Sequence, residues 1–212
     1  MIETSKYKKM KMTIILLYSL IAIIPSNSGD NLGWNLVTEK SNIAIYNTQE
    51  NGKKFKSFKV NGQLETDLNN LREILTHTDL LVQWFPMASE AKVISNTSNS
   101  TSIHMKFNFP FPLKNRDAFI DIIERTDAKN RVIFTMKLSD DFLLTNGFER
   151  IKNLESTTIL VQSNNKTIID QITYLDPGGN IPKMFLNKGL PKSMMKSFRD
   201  LTSLALKNGS KG

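Results

Sequence analysis

This chain carries few side chains able to make or break covalent bonds. It has two histidines and no cysteine. Without cysteine there are no disulfides, no thiolate chemistry and no Cys-ligated zinc. Asp140-Asp141 is a carboxylate pair. General acid and base work needs two carboxyls whose surroundings push their pKa values apart. Adjacent acids in a connecting segment face solvent instead. His104 falls on the polar face of a strand beside Lys106 and Asn108, as a solvated imidazole does. His77 closes a helix, where an imidazole suits the negative end of the dipole. There is no nucleophile elbow, phosphate loop, dinucleotide fingerprint or His-Glu-Xaa-Xaa-His. Catalysis, metals and cofactors are therefore not expected.

The informative segments are apolar. Phe109-Pro-Phe-Pro-Leu-Lys-Asn-Arg-Asp-Ala-Phe119 is a rigid loop tip that runs into a strand. Tyr174-Leu-Asp-Pro-Gly-Gly-Asn-Ile-Pro182 is a strand that ends in a tight turn and launches an amphipathic helix. A loop and a helix covering a sheet form the mouth of a pocket, which suits holding an apolar molecule. Phe109, Phe111 and Leu113 form a candidate membrane wedge, and Pro110 and Pro112 lower the entropy cost of presenting it. Arg116-Asp117 has two readings: contact with a charged headgroup, or an ion pair locking the loop to the sheet. Lys183, Lys188, Lys192, Lys196, Arg199 and Lys207 make the C-terminal region basic, opposed by Asp200. Such a face is either solvated or docks on an anionic bilayer, at roughly 1 kcal/mol per basic residue reaching the surface.

The elements that must position these residues follow from periodicity. Trp34, Leu36, Ile43 and Ile45 alternate with polar neighbours, as one opening strand over 33–47. Asn51-Gly52 is a hairpin turn, and Phe55, Phe58 and Val60 continue the strand pattern. Thr66 is the expected N-cap of a helix carrying Leu68, Leu71, Ile74 and Leu75 on one face. Thr78 is expected to cap a second short helix, stopped by Pro86. Ile103, Met105, Phe107 and Phe109 then share one strand face. Further strands are expected at 119–124, 132–137, 157–162 and 167–174, with turns at 127–130 and 163–166. Residues 140–153 form a longer connection. A last helix is expected from near Pro191, with Met194, Phe198, Leu201 and Ala205 on one face. This is an α+β chain: an antiparallel sheet with one face covered by a long C-terminal helix.

At 212 residues, 40% hydrophobic and 23% charged, the chain fits one domain plus an extension. Its net charge is +8, of which Lys6, Lys8, Lys9 and Lys11 against Glu3 supply +3 within residues 1–28. That basic start, the apolar run Met12–Ile24 and small residues Ser26 and Ser28 read as a secretory signal peptide over 1–28, ahead of a domain over 29–212. The alternative is an uncleaved anchor, but the run is short of the roughly 20 apolar residues of a span and is broken at Pro25. A secreted or periplasmic location follows. Four glycosylation-type triplets, at Asn96, Asn99, Asn165 and Asn208, arise by chance in so Asn-rich a chain. The basic residues lack an aromatic stacking platform, so nucleic acid is not an expected partner.

The order of elements, with Gly33-Trp34, Ile43-Ala-Ile-Tyr46, Trp84, Arg116-Asp117 and Asp176-Pro-Gly-Gly-Asn-Ile-Pro182, resembles the START family, the lipid-transfer domains related to the steroidogenic acute regulatory protein. The resemblance covers most of residues 31–207. It implies a helix-grip fold, a curved sheet gripping the C-terminal helix around a lipid-sized tunnel. It implies reversible binding of a sterol, phospholipid or fatty-acyl molecule, with transient membrane contact, by a monomer. The expected tunnel wall is Trp84, Ile103, Met105, Phe107, Phe109, Ile122, Phe134, Met136, Tyr174, Met194 and Phe198. The expected gate and docking residues are Phe111, Leu113, Arg116, Lys192, Lys196 and Arg199. Some sterol-binding members carry an acid and a base facing each other in the tunnel. Here those positions align with Met105 and Ile122, which weakens a sterol-hydroxyl reading. Two alternatives are a ligand-sensing module and an enzyme of the wider superfamily using Asp170 or Tyr174.

Overall fold

The computed structural model describes residues 33–139 and 145–209. The proposed signal peptide and Asp140-Asp141 lie outside the described residues. Ten strands form one sheet: β1 (Asn35–Lys40), β2 (Ile43–Thr48), β3 (Ser57–Leu64), β4 (Ala88–Asn96), β5 (Ser100–Phe107), β6 (Arg116–Thr126), β7 (Val132–Leu138), β8 (Glu149–Arg150), β9 (Asn153–Ser163) and β10 (Lys166–Asp176). Their order is β1-β2-β3-β10-β9-β7-β6-β5-β4, all antiparallel, with β8 parallel to β6 off that path. Helices α1 (Leu68–Thr76) and α2 (Thr78–Trp84) carry the chain from β3 to the far edge at β4. Helix α3 (Lys183–Gly209) follows β10. Its 27 residues span about 40 Å, enough to cross the sheet. None of the described helices is long and apolar enough to cross a membrane.

Period-two alternation aims one face of the sheet inward. Phe58, Val60 and Leu64 on β3, Ile103, Met105 and Phe107 on β5, and Ala118, Ile120 and Ile122 on β6 are all buried. Met194, Phe198, Leu201 and Ala205 of α3 meet them as one helical stripe. This is the helix-grip arrangement expected from the sequence. Register shifts between Ala88 and Glu90 and between Val93 and Ser95 mark bulges, which bend the β4 edge.

Several local expectations need correction. The opening segment is two strands, not one. Ser41 and Asn42, at φ 51° and 61°, turn β1 into β2 in a two-residue connection that Asn tolerates well. The cap of α1 is Asp67, whose Oδ1 accepts from the Asn70 N–H at 2.9 Å, while Thr66 Oγ1 accepts from the Asn70 side chain at 2.7 Å. Thr78 is the first residue of α2, and His77 stands at the cap without a side-chain bond. Helix α3 begins eight residues before Pro191, which sits inside it. Proline has no N–H to give the Asn187 carbonyl. Burial of Leu186, Met194 and Met195 on the core offsets that loss.

Candidate functional site

Beneath α3 the sheet and helix do not close fully. A cavity of about 80 Å³ lies between them. Its floor comes from alternate residues of β9 and β10: Leu154 and Ser156, then Gln171, Thr173 and Leu175. Its roof is Leu190, Met194, Ser197 and Phe198, one face of α3 at i, i+4, i+7 and i+8. The corner from Trp84 to Met87 closes one side, and Phe109 brings the Pro-rich loop to it. Of the side chains expected to line a tunnel, Trp84, Phe107, Phe109, Met136, Met194 and Phe198 border this cavity.

The others are placed elsewhere. Ile103 and Met105 face inward but are packed solid at 1% exposure, away from the cavity. Ile122 and Phe134 border a separate, polar surface cleft at residues 76–79 and 96–101. Phe134 also borders a small void beyond Trp84 and Met136. Tyr174 is on the wrong face: since Thr173 and Leu175 point into the cavity, Tyr174 must point out. There the Lys53 ammonium sits 4.3 Å from its ring. Asp170 shares that outer parity and pairs in register with Asn61, so neither candidate for tunnel acid-base chemistry reaches the cavity.

Sequence reading missed the polar part of the wall. Ser156 and Thr173 are register partners on β9 and β10, and their hydroxyls lie 2.8 Å apart. The Gln171 amide donates to Ser156 Oγ at 3.3 Å. The Ser197 hydroxyl donates to the Trp84 carbonyl. The signal was available: alternation along 154–160 and 167–175 places these residues on the face of Leu160 and Ile169.

A charged network ties the Pro-rich loop, β8 and the turn before α3 together. Arg116 and Asp117, both 1% exposed, point to opposite faces and do not pair with each other. Arg116 pairs with Glu149 at 3.2 Å, donates to the carbonyls of Pro177 and Lys114, and lies 4.6 Å from the Phe109 ring. It is buried beneath the loop, so it is not a docking residue. Asp117 accepts two bonds from Arg150 at 2.8 and 3.1 Å and one contact from His104 at 2.9 Å. Burial opposes the Asp117 charge, but the bonds from Arg150, Thr145 and His104 outweigh it and hold the carboxyl below its ordinary value. His104 is not solvated as expected. Its ring stacks on Phe119 at 4.2 Å. Gly178 and Gly179, at φ 72° and 63°, dock the turn before α3 onto β8. A side-chain carbon at Gly179 would overlap the Glu149 carboxylate. Loop, β8 and turn are thus fastened at one point.

Of the loop's apolar residues, Phe109 turns inward, Leu113 packs against the core and Phe111 projects at 97% exposure. Lys192, Lys196 and Arg199 are exposed on α3, with Lys196 paired to Asp200 at 2.5 Å. Met184 and Phe185 are exposed at its start. Among the described residues no three His, Asp or Glu side chains group as a metal site requires.

Fold and cavity together define a helix-grip domain built around an apolar internal space. The START domain model matches residues 24–210, and the chain belongs to that family. Human phosphatidylcholine transfer protein is 26% identical over 176 residues, covering 79% of this chain and 81% of that protein. An uncharacterised protein of Pseudomonas aeruginosa is 20% identical over 178 residues, covering 82% and 87%. Among solved structures, a STAR-related lipid transfer protein fragment from Xanthomonas axonopodis aligns with a TM-score of 0.75 at 20% identity, over 81% of this chain and 97% of that one. Human StAR-related lipid transfer protein 5 aligns with a TM-score of 0.77 at 13% identity, over 96% and 94%. These structural likenesses establish the fold.

Proposed function

We propose that this protein holds a long-chain lipid in the cavity under α3 and carries it between membranes as a monomer. The observation that carries the reading is the cavity wall: apolar side chains interrupted by one uncharged polar cluster, with no charged group among its described lining. Burying apolar lipid surface stabilises a complex by about 25 cal/mol per Å², so a few hundred Å² give many kcal/mol without any polar contact. Known ligand pockets run to roughly 300–1,000 Å³. A cavity of about 80 Å³ must therefore widen on loading. Met87, Met136 and Met194 line it, and methionine repacks readily.

Loop 109–115 and α3 are the gate in this reading. Phe111 and Met184 enter the bilayer, and Lys183, Lys188, Lys192 and Arg199 meet anionic headgroups. Phosphatidylcholine, named for the mammalian relatives, is one candidate cargo. A sterol held by a buried ion pair is disfavoured, because no charged side chain stands among the described lining of the cavity. Removal of residues 1–28 would release the domain to the periplasm or the exterior.

The test is transfer of pyrene-labelled lipids between donor and acceptor vesicles. The expected rate rises in proportion to protein and is faster with anionic vesicles. Absence of both transfer and uptake would refute the proposal.

A further inference from the structure

The cavity wall contains unused hydrogen-bonding capacity at one place. The Trp84 indole N–H is buried and has no partner among the described residues. A buried tryptophan ordinarily finds one. Ser156 Oγ accepts from Gln171, and it shares one hydrogen with Thr173. Whichever hydroxyl donates in that pair, one hydroxyl hydrogen is left over. Gln171 Oε1 makes no hydrogen bond among the described residues, because its amide nitrogen is the group engaged. Trp84 and Gln171 both border the main cavity and also the small void beyond it. The unused groups therefore include three donors, the Trp84 N–H, one hydroxyl hydrogen and the second Gln171 amide hydrogen, and the acceptor Gln171 Oε1, grouped between the cavity and the small void, with no charged residue among the described lining.

We infer that Trp84, Ser156, Gln171 and Thr173 form a polar anchor that selects lipids bearing an uncharged hydroxyl at the root of their chains. A hydroxyl accepts from the Trp84 N–H or the spare hydroxyl hydrogen, and donates to Gln171 Oε1. An ester carbonyl can only accept, and leaves Gln171 Oε1 unpaired once the lipid has displaced water from the cavity. An ether does no better. A phosphate brings a charge that no lining side chain balances. The anchor thus sorts lipids by donor capacity at one depth, while the apolar wall supplies affinity for any chain. This inference rests on the lipid-carrier reading and narrows its cargo.

A matched pair of lipids tests it: 1,2-dioleoylglycerol and the same molecule with its hydroxyl capped as a methyl ether, each at equal fraction in phosphatidylcholine vesicles. The full chain is incubated with both, re-isolated, and its bound lipids are quantified by mass spectrometry. The expected preference for the free hydroxyl is at least about tenfold, the usual consequence of leaving one buried acceptor unpaired. Gln171→Met keeps the volume and removes the acceptor. It should bring the ratio to within about twofold. Ser156→Ala with Thr173→Val is a second, independent variant and should cut the ratio in the same direction. Equal uptake of the pair by the wild type, or an unchanged ratio in folded Gln171→Met, overturns the anchor while leaving the carrier reading intact. Uptake of no lipid at all removes the carrier reading, and the anchor with it.

Discussion

Asp117→Asn should be among the most damaging polar substitutions in the domain. The carboxylate is 1% exposed and takes both Arg150 bonds, at 2.8 and 3.1 Å, plus the His104 contact. An amide has one acceptor oxygen and turns a donor toward Arg150 or His104. Breaking a buried ion pair on one side costs roughly 3–5 kcal/mol. The Arg150 side chain is 24% exposed, so water recovers part of that, and about 2–4 kcal/mol remains. For a domain of this size the melting temperature should fall by roughly 5–15 °C. Thermal and urea unfolding at pH 7 measure the loss, and a cycle with Arg150→Met isolates the coupling. The acid limb gives a second readout. The folded state holds this carboxyl below its ordinary 3.8. Its contribution is therefore complete above that value and drains away as pH falls through the lower folded one. The gap between wild type and variant should narrow below pH 3.8. A gap under about 1 kcal/mol at pH 7, or one that persists undiminished into acid, would refute the claim that this network fastens the loop, β8 and the turn before α3.

Three further outcomes follow from the same geometry. Phe111→Asp changes only an exposed loop tip, so stability should shift by under about 0.5 kcal/mol, while sedimentation with anionic vesicles drops several-fold. Pro191→Ala restores an N–H to the third turn of α3 and, less the packing lost from its buried ring, should stabilise the fold by up to about 3 kcal/mol in urea titrations, and slow lipid exchange if the helix opens there. Asp170 has a buried, unpartnered oxygen, and burial raises its carboxyl above the ordinary range against the pull of Lys59 and Asn61. Its ionisation therefore opposes folding as pH rises through that raised value. Asp170→Asn should melt higher than wild type at pH 7, and the advantage should vanish below pH 3.8.

Much of the frame was legible because it rests on short-range rules. Period two located β5, β6, β7, β9 and β10. Gly52, Asn130 and Asn164 adopt the positive φ values that their turns require. The stripe Met194, Phe198, Leu201 and Ala205 named the buried face of α3 correctly. The start of α3 was not legible, because Pro191 is a cue for a first turn and only packing of the preceding residues overrides it. Strand β8 is two residues long and exists through its pairing with Arg116 and Asp117, a long-range fact with no local signature. The cavity wall was partly legible for a different reason. Met105 and Met194 look alike in sequence, and both face inward. Which of them borders a gap depends on where the helix lifts off the sheet. Tyr174 has the residue type of a pocket wall but the parity of the outer face, and strand alternation assigns Gln171 and Thr173 to the inner one.

The account stands or falls on whether the space beneath α3 takes up hydrocarbon. Native mass spectrometry of the protein purified without detergent, followed by organic extraction, reads this directly. The account predicts a stoichiometric adduct that extracts as a lipid, and its replacement when the protein is incubated with vesicles of another composition. A single unadducted mass, unchanged after incubation with any vesicle, would contradict it.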